Sequence, residues 1–268
     1  MRRSVAQLMD LTGRTAVVTG GAGFIGSAMG EALAELGARV VVMDMRAEAC
    51  EKVAAELNEK FDRGAVGLTA DLGDERSVHA ALEQLNGRFD CIDILVNNAA
   101  FVGTSGLGGW VVPFAEQSVE TWRKAMEVNL TAPFALAQAL APALARSAGG
   151  SIINVSSIYG LVGPDWRLYE GTAMGNPAAY AASKGGLLQL TRWLATTMAP
   201  KVRVNGLVPG GVERGQAKEF QSRYIERTPM GRMATEEDFK GAIAYLASDL
   251  SAYVTGQVLQ VDGGWTIW

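Results

Sequence analysis

Short apolar runs rich in Val and Ile alternate with longer stretches whose apolar residues recur every three or four positions. The runs predict buried strands, and the longer stretches predict helices with one apolar face. This alternation is typical of right-handed βαβ units around a parallel sheet. Strands are predicted at residues 15–19, 39–44, 65–70, 91–96, 151–155, 202–208 and 257–261, and helices at about 28–36, 48–60, 74–85, 119–146, 178–198 and 236–248.

The predicted elements fill the chain without a linker-like segment or an internal repeat. We therefore predict one α/β domain over residues 1–268, a Rossmann fold whose doubly wound parallel sheet has about seven strands flanked by helices. Three irregular stretches, at about 101–117, 158–178 and 211–234, are predicted substrate loops. Open α/β folds bind ligands at the carboxyl edge of the sheet, where such loops emerge.

A glycine turn follows the first predicted strand and precedes a helix. Its spacing, Gly21-x-Gly23-x-x-Gly26, matches the dinucleotide fingerprint in the context that the fingerprint requires. The glycines allow a tight turn and a close approach of the backbone to a pyrophosphate at the helix N-terminus. The alternative is a glycine turn without a ligand.

The second predicted strand ends in Asp44. A carboxylate at this position can accept hydrogen bonds from the adenosine ribose hydroxyls, and it repels a 2′-phosphate. Asp44 therefore favours NAD over NADP. Arg46, two residues further on, is a cation that would weaken this discrimination.

Tyr180 and Lys184 lie on one predicted helix, four residues apart. That spacing places both side chains on one helix face, so that an ammonium group could stabilise a phenolate. Tyr180 thereby becomes a candidate general acid and base, although a pair of this kind also occurs by chance on helix surfaces. Asn129 lies in the helix predicted at 119–146, which Pro133 and Pro142 interrupt. The run Asn-Leu-Thr-Ala-Pro-Phe, which begins at Asn129, suggests a local break in the backbone bonding that could hold water.

Composition narrows the range of partners. The formal net charge of −4 gives no electrostatic reason to expect nucleic acid or anionic membrane as the main partner. Cys50, Cys91 and His79 do not have the spacing of a metal site, and no long apolar span is present. We expect a cytoplasmic protein without a metal, whose partners are small molecules or copies of itself.

Two of the predicted substrate loops combine aromatic and polar side chains. Stacking faces and hydrogen-bonding groups together suit a sugar, a polyol or a sugar derivative. The alternative is that these aromatic residues pack the loops or a subunit interface. The residues concerned are Thr104, Ser105, Trp110, Trp166, Arg167, Tyr169 and Glu170.

Taken together, the motifs resemble the classical subfamily of short-chain dehydrogenases/reductases over essentially the whole chain. The matching pieces are the glycine turn, Asp71-Leu72, Asn97-Asn98-Ala99, Asn129, Ser157, Tyr180-x-x-x-Lys184, Pro209-Gly210 and Val261-Asp262-Gly263-Gly264. The resemblance implies that Tyr180 is the acid/base, that Ser157 steadies the substrate oxygen and that Asn129 holds a water. It also implies that Lys184 lowers the pKa of Tyr180 and binds the nicotinamide ribose.

A set of cofactor-binding residues follows from the glycine turn, from Asp44 and from the resemblance. The predicted set is Gly20, Ala22, Gly23, Phe24, Ile25, Gly26, Asp44, Met45, Asp71, Leu72, Asn98, Ala99, Ala100, Tyr180, Lys184, Pro209, Gly210 and Val212.

The sequence departs from the classical pattern in four places, of which Ala100 in place of the usual glycine is a small change. Phe24 stands where a glycine is usual, so the turn is similar to that of the extended subfamily. Glu213 and Arg214 follow Pro209-Gly210 where a threonine is common, and the interval from Ser157 to Tyr180 is long.

The leading hypothesis is an NAD-dependent oxidoreductase that transfers a hydride between nicotinamide and a secondary alcohol or ketone, such as a sugar, polyol or sugar derivative. The alternatives are an epimerase or dehydratase that recycles bound NAD, and a non-catalytic NAD(H)-binding protein. The resemblance also implies a homo-oligomer, a dimer or tetramer, with Trp265 and Trp268 expected to be exposed on the tail.

Overall fold

The computed structural model describes residues 2–102 and 105–268. Its strands are β1 (Thr15–Thr19), β2 (Arg39–Asp44), β3 (Val66–Thr69), β4 (Ile94–Asn97), β5 (Gly150–Val155), β6 (Val202–Pro209) and β7 (Val258–Val261). Its α-helices are α1 (Val5–Met9), α2 (Phe24–Glu35), α3 (Ala47–Phe61), α4 (Glu75–Arg88), α5 (Val119–Met126), α6 (Ala132–Leu144), α7 (Ala178–Met198), α8 (Lys218–Arg227) and α9 (Lys240–Ala247).

The seven strands form one parallel sheet in the order β3-β2-β1-β4-β5-β6-β7. Every residue of β1, β4, β5 and β6 is buried. Because helices cover both faces of such a sheet, its central strands are apolar throughout rather than alternating. The strand order reverses between β1 and β4, and this reversal opens a crevice at the carboxyl edge. The predicted Rossmann fold is confirmed.

The two layers of helices pack on opposite faces of the sheet. One apolar cluster joins α4, α6 and the end of α7 to the sheet, and the other joins α2, α3 and α9 to it. Burial of these faces supplies the main driving force for folding. The sheet thereby becomes a rigid support for the loops at its carboxyl edge.

The helix predicted at 119–146 is two helices joined by a π-helical segment, Glu127–Thr131. The π-helical segment overlaps the predicted stretch that begins at Asn129, and it ends directly before α6. Pro133 is in the first turn of α6, and Pro142 lies within α6. The wider π turn places Asn129 in the interior.

Three features of the fold were not predicted correctly. The short helix α1 was missed, and the polar stretch after β6 contains α8. Trp265 was expected to be exposed, yet its side chain is 0% exposed, whereas Trp268 is exposed as predicted. Gly263 and Gly264 have positive φ values of 64° and 85°, and this turn directs Trp265 back against the ring of Tyr224.

No helix within the described residues is both long and apolar enough to span a membrane.

Candidate active site

A cavity of about 1060 Å³ lies at the carboxyl edge of the sheet. Most of the residues predicted to bind cofactor or substrate line it: Gly20, Gly23, Phe24, Ile25, Gly26, Asp44, Met45, Asp71, Leu72, Asn98, Ala99, Ala100, Ser157, Tyr180, Lys184, Pro209, Gly210 and Val212. Of the predicted catalytic and cofactor-binding residues, Ala22 and Asn129 do not line it. The glycine turn defines one end of the cavity and Tyr180 lies toward the other.

The glycine turn is held rigidly beside the N-terminus of α2. Gly20 has a positive φ of 61°, and the side-chain amide of Asn98 donates to the carbonyls of Thr19 and Gly20 at 3.0 and 3.2 Å. A Cβ atom added to Gly26 would lie 2.1 Å from the Gly20 carbonyl oxygen. Gly23 caps α2 without a side-chain hydrogen bond, so the first N–H groups of this helix have no side-chain acceptor. This is the main-chain arrangement that binds a pyrophosphate.

Phe24 departs from the family pattern and has an unexpected partner. Its ring is 67% exposed and lies beneath the guanidinium of Arg214, whose central carbon is 4.4 Å from the ring centroid. Arg214 also pairs with Glu236 at 3.2 Å. The cation–π contact places a cation beside the glycine turn. In the sequence, Phe24 and Arg214 were visible only as departures from the classical pattern. Their contact could not be predicted because they lie far apart in the chain.

Asp44 ends β2 and lines the cavity beside the glycine turn. One of its carboxylate oxygens accepts from the main-chain N–H and from Nε of Arg46, at 3.3 and 3.2 Å. The same arginine donates to the carbonyl oxygen of Ala22 at 3.1 Å. Arg46 therefore lies across the glycine turn with part of its charge compensated by Asp44.

Tyr180, Ser157 and Lys184 come together at the other side of the glycine turn. Lys184 is 2% exposed, and its Nζ donates to the carbonyl oxygen of Val155 at 2.8 Å and lies 6.0 Å from the Tyr180 ring centroid. Burial lowers the pKa of Lys184 to about 7. Burial also raises the pKa of Tyr180, and a hydrogen bond with Ser157 opposes that rise.

These directions differ from the expected effect of Lys184 on Tyr180. The resemblance implied a lowered pKa for the phenol, whereas in the ligand-free chain burial dominates and raises it. Desolvation disfavours the charged form of both groups, so the pair contains a neutral phenol at neutral pH. Ser157 supplies the hydrogen bond that acts in the expected direction.

Asn129 is buried behind the cavity wall and is fully engaged with protein groups. Its Oδ1 accepts from the Phe101 N–H at 2.8 Å, and its Nδ2 donates to the Phe101 carbonyl and to the Ser183 hydroxyl, at 3.2 and 3.1 Å. Its side chain thus fixes the loop after β4 against α7. The predicted contact with water stays a prediction, and it would fall to the main chain of Asn129.

An aromatic wall closes the end of the cavity beyond Tyr180. Tyr159 and Tyr169 are joined by a hydrogen bond between their hydroxyl groups. The ring of Tyr169 packs on Phe220 with centroids 5.5 Å apart, and Phe220 packs on Tyr224 at 5.8 Å. The Tyr224 hydroxyl accepts from the Gly211 N–H. Tyr159 and Tyr169 lie in the loop before α7, and Phe220 and Tyr224 lie in α8.

The predicted loop residues divide between the wall and the scaffold. Ser105 and Tyr169 line the cavity. Trp110 is buried and donates to the Val102 carbonyl at 2.8 Å, so it packs the loop instead. Arg167 pairs with Asp165, and Trp166 lies beside a smaller cavity of about 310 Å³. Neither these two residues nor Glu170 lines the main cavity, and Thr104 lies outside the described residues.

Comparisons with known proteins agree with this geometry. A family model described as enoyl-(acyl carrier protein) reductase matches residues 20–266. Cis-4-hydroxycyclohexanecarboxylate dehydrogenase of Sinomonas cyclohexanicum is 36% identical over 258 residues, covering 94% of this chain and 96% of that protein. The 3-oxoacyl-[acyl-carrier-protein] reductase of Aquifex aeolicus is 32% identical over 261 residues, covering 96% and 98%.

Among solved structures, a gluconate 5-dehydrogenase from Burkholderia cenocepacia in complex with NADP and tartrate superimposes with a TM-score of 0.87 at 30% identity. The match covers 99% of this chain and 100% of that chain. The chain belongs to the classical short-chain dehydrogenase/reductase family.

As a short-chain dehydrogenase/reductase, the chain is a nicotinamide-dependent oxidoreductase that interconverts a secondary alcohol and a ketone.

Several residues that line the cavity were not predicted from the sequence. Tyr159, Phe220, Tyr224 and Asn176 line the cavity because α8 folds back over the loop before α7. No local pattern marks such residues, since their position depends on contacts between distant segments. Within the described part of the chain, no three His, Cys, Asp or Glu side chains cluster as a metal site.

Proposed function

We propose that the protein is an NAD-preferring dehydrogenase of secondary alcohols in which Tyr180 is the general acid and base. One observation carries the proposal: a single cavity joins the glycine turn and Asp44 to the Tyr180, Ser157 and Lys184 side chains. A dinucleotide would extend from the first group of residues to the second. A substrate oxygen would then lie between Tyr180 and Ser157.

The residues at the cofactor end fit a dinucleotide. The uncapped N–H groups at the start of α2 suit its pyrophosphate, and Asp44 suits the adenosine ribose. Arg214 adds a cation close to the glycine turn. When bound, the nicotinamide supplies the hydride acceptor or donor of the reaction.

The protein side chains handle the proton and the oxygen. In the oxidation direction, Tyr180 would act in its deprotonated form, and the phenolate oxygen would take the hydroxyl proton of the alcohol. Ser157 donates a hydrogen bond to the substrate oxygen as negative charge develops there, and this contact is strongest in the transition state. Lys184, fixed on the Val155 carbonyl, stabilises the phenolate whenever its own amine is protonated.

The preference for NAD rests on Asp44. Its carboxylate would lie close to a 2′-phosphate, and that repulsion disfavours NADP. Arg46 acts in the opposite direction, but its hydrogen bonds to Asp44 and Ala22 hold it in place. The Burkholderia cenocepacia relative was solved with NADP, so the ratio of the two cofactors is the quantity to measure.

We also propose a cytoplasmic homo-oligomer, a dimer or a tetramer. Large apolar side chains are exposed on neighbouring helices: Trp122 on α5, Phe134 on α6 and Trp193 on α7. A patch of this kind is typical of a subunit interface. Both cysteines are free, which suits a reducing compartment. Light scattering at micromolar concentration would measure the mass, and a monomeric mass would contradict the assembly.

The test of the activity follows NADH absorbance while protein and NAD are offered a panel of sugars, polyols and cyclic alcohols. We expect at least one alcohol to be oxidised, and Tyr180→Phe to lose about 1000-fold in kcat, since a positioned acid/base supplies roughly that factor. Affinity for NADH, measured by fluorescence titration, should stay nearly unchanged. Equal kcat values in the two proteins would contradict the role of Tyr180.

The panel also separates the two alternatives. An epimerase or dehydratase that recycles bound NAD would give a product without accumulation of NADH. A non-catalytic protein would bind NADH stoichiometrically and turn over no alcohol. Net reduction of added NAD that depends on Tyr180 would exclude both.

A further inference from the structure

In the part of the cavity lining that the structure describes, charged side chains other than Lys184 lie toward the cofactor end. The charged residues in the described lining are Asp44, Asp71, Lys184 and Arg214. Asp44 ends β2, Asp71 follows β3, and Arg214 lies over the Phe24 ring. The Lys184 Nζ donates a hydrogen bond to the Val155 carbonyl oxygen. The wall beyond Tyr180 therefore offers no cation to a carboxylate or phosphate on the substrate.

The arginines nearest to that wall are engaged on its outer side. Arg227 and Arg167 both pair with Asp165 at 2.6 Å. Arg223 donates to the carbonyl oxygen of Glu170 at 2.6 Å. None of the three lines the cavity. These arginines hold α8 to the loop before α7 rather than meeting a ligand.

The wall itself is apolar and phenolic. The phenols of Tyr159 and Tyr169 bond to each other, and burial raises the pKa of Tyr169 to about 12 and that of Tyr159 further still. Both phenols stay neutral at any working pH. Met174 and Phe220 pack in one apolar cluster with these two phenols. Leu107, Val111 and Val112 are further apolar residues of the cavity lining. Aromatic faces and branched aliphatic groups suit the flat faces of a ring.

Asn176 is the exception in this wall. It lies four residues before Tyr180, lines the main cavity, and is only 6% exposed. Its Nδ2 and Oδ1 are both closed off from solvent, and neither has a hydrogen-bond partner. Asn176 also lines the smaller cavity. Buried amides are normally satisfied, because an unpaired donor or acceptor loses its hydration without compensation. A ligand group that displaces the side chains covering this amide and bonds to it would remove that penalty.

We propose that the substrate is an uncharged, ring-shaped secondary alcohol with a second, neutral hydrogen-bonding group, which Asn176 binds. This inference rests on the proposed dehydrogenase activity and narrows its substrate class. The aromatic wall receives the ring, the Tyr180 and Ser157 hydroxyls receive the reacting oxygen, and the Asn176 amide receives the second polar group. A charged group at that second position has no counterion, and burying it there is unfavourable.

The test uses three cyclohexanols that differ only at the 4-position: a carboxamide, a carboxylate and a methyl group. Initial rates with NAD give kcat/KM for each. We expect the carboxamide to exceed the carboxylate by about 100-fold, because only the anion is left without a counterion. In Asn176→Leu, the ratio of kcat/KM for the carboxamide to that for the methyl compound should fall about tenfold, because the hydrogen bonds are lost.

Folding is controlled separately. Circular dichroism melting and the NADH dissociation constant are measured for Asn176→Leu, and Asn176→Ala replaces it if the larger side chain prevents folding. The ratio between two substrates on one variant cancels a general loss of active protein. A merely structural role for Asn176 would lower both rates together and leave the ratio unchanged.

The possible failures are distinct. If kcat/KM for the carboxylate equals that for the carboxamide, the preference for an uncharged substrate is wrong. If the carboxamide-to-methyl ratio of kcat/KM is unchanged in Asn176→Leu, the proposed role of Asn176 is wrong. If none of the three rings is oxidised while an open-chain alcohol is, the ring-shaped class is wrong and the dehydrogenase stands. If NADH binds and no alcohol of any kind reacts, the proposed function itself fails.

Discussion

At the cofactor end of the cavity, strand ends and main-chain groups form the surface, whereas at the substrate end side chains from separate loops form it. The glycine turn and Asn98 lie directly after β1 and β4, and Asp44 is the last residue of β2. Tyr159, Tyr169 and Tyr224 reach the cavity only because their segments pack on one another. The cofactor end is therefore fixed by the fold, and the substrate end by contacts that can change without altering the fold.

The largest effect on cofactor binding is expected from a substitution in the glycine turn. Gly26→Ala places a Cβ 2.1 Å from the Gly20 carbonyl oxygen, so the backbone of the turn must move. We expect NADH affinity to fall by about 100-fold, the result of forcing a group into a packed site. Fluorescence titration with NADH measures the change.

Gly87→Ala is the matched control for this substitution. Gly87 lies in α4, and a Cβ there would meet nothing within 4 Å. Alanine should raise the melting temperature slightly, because it favours the helix, and leave NADH affinity unchanged. Unchanged affinity in Gly26→Ala as well would mean that the turn does not hold the dinucleotide.

Much of the cofactor end could be predicted because its signals are local. Each glycine, the Asp44 carboxylate and the Tyr180–Lys184 pair is defined by its distance along the chain from one strand or one helix. The structure brings nearly all of these residues to one cavity.

The substrate end could not be predicted to the same extent. Trp265 looked exposed in the sequence, but the turn at Gly263 and Gly264 buries it beside Tyr224, and Arg227 lies 4.4 Å above its ring. The unpaired amide of Asn176 is visible only when every neighbouring donor and acceptor is known. Such features depend on the packing of segments distant in sequence, which hydrophobic periodicity does not describe.

A second prediction tests whether the cofactor end discriminates by charge. Asp44→Ala removes the carboxylate that repels a 2′-phosphate and frees Arg46 from its partner. We expect the ratio of kcat/KM for NADP to that for NAD to rise about tenfold, because the repulsion disappears. Steady-state kinetics with both cofactors measure it.

Arg46→Ala completes that experiment. Loss of the arginine should lower kcat/KM for NADP more than for NAD, since only the phosphate gains from a cation at this position. A rise in NADP use in this variant, or an unchanged ratio in Asp44→Ala, would show that cofactor choice is made by other residues.

The smallest effect is expected at the outer side of the substrate end, where Asp165 holds α8 to the loop before α7. The Asp165 carboxylate accepts from Arg167 and Arg227, and these contacts hold its pKa at about 2. We expect Asp165→Asn to raise KM for the alcohol by about threefold while KM for NAD changes little, because partly exposed ion pairs contribute modestly. Steady-state kinetics with both substrates measure this split.

The pH dependence follows from the sign of the Asp165 shift. A carboxyl whose pKa is lowered on folding stabilises the protein above its ordinary value near 3.8, and this contribution is lost as the pH falls toward 2. Asp165 therefore stays ionised across the assay range, and the increase in KM should be the same at any pH from about 6 to 9. Glu120→Gln, which removes an exposed pair with Lys124 on α5, should change neither KM. If Asp165→Asn raised KM for NAD as much as KM for the alcohol, the two ends of the cavity would not be independent.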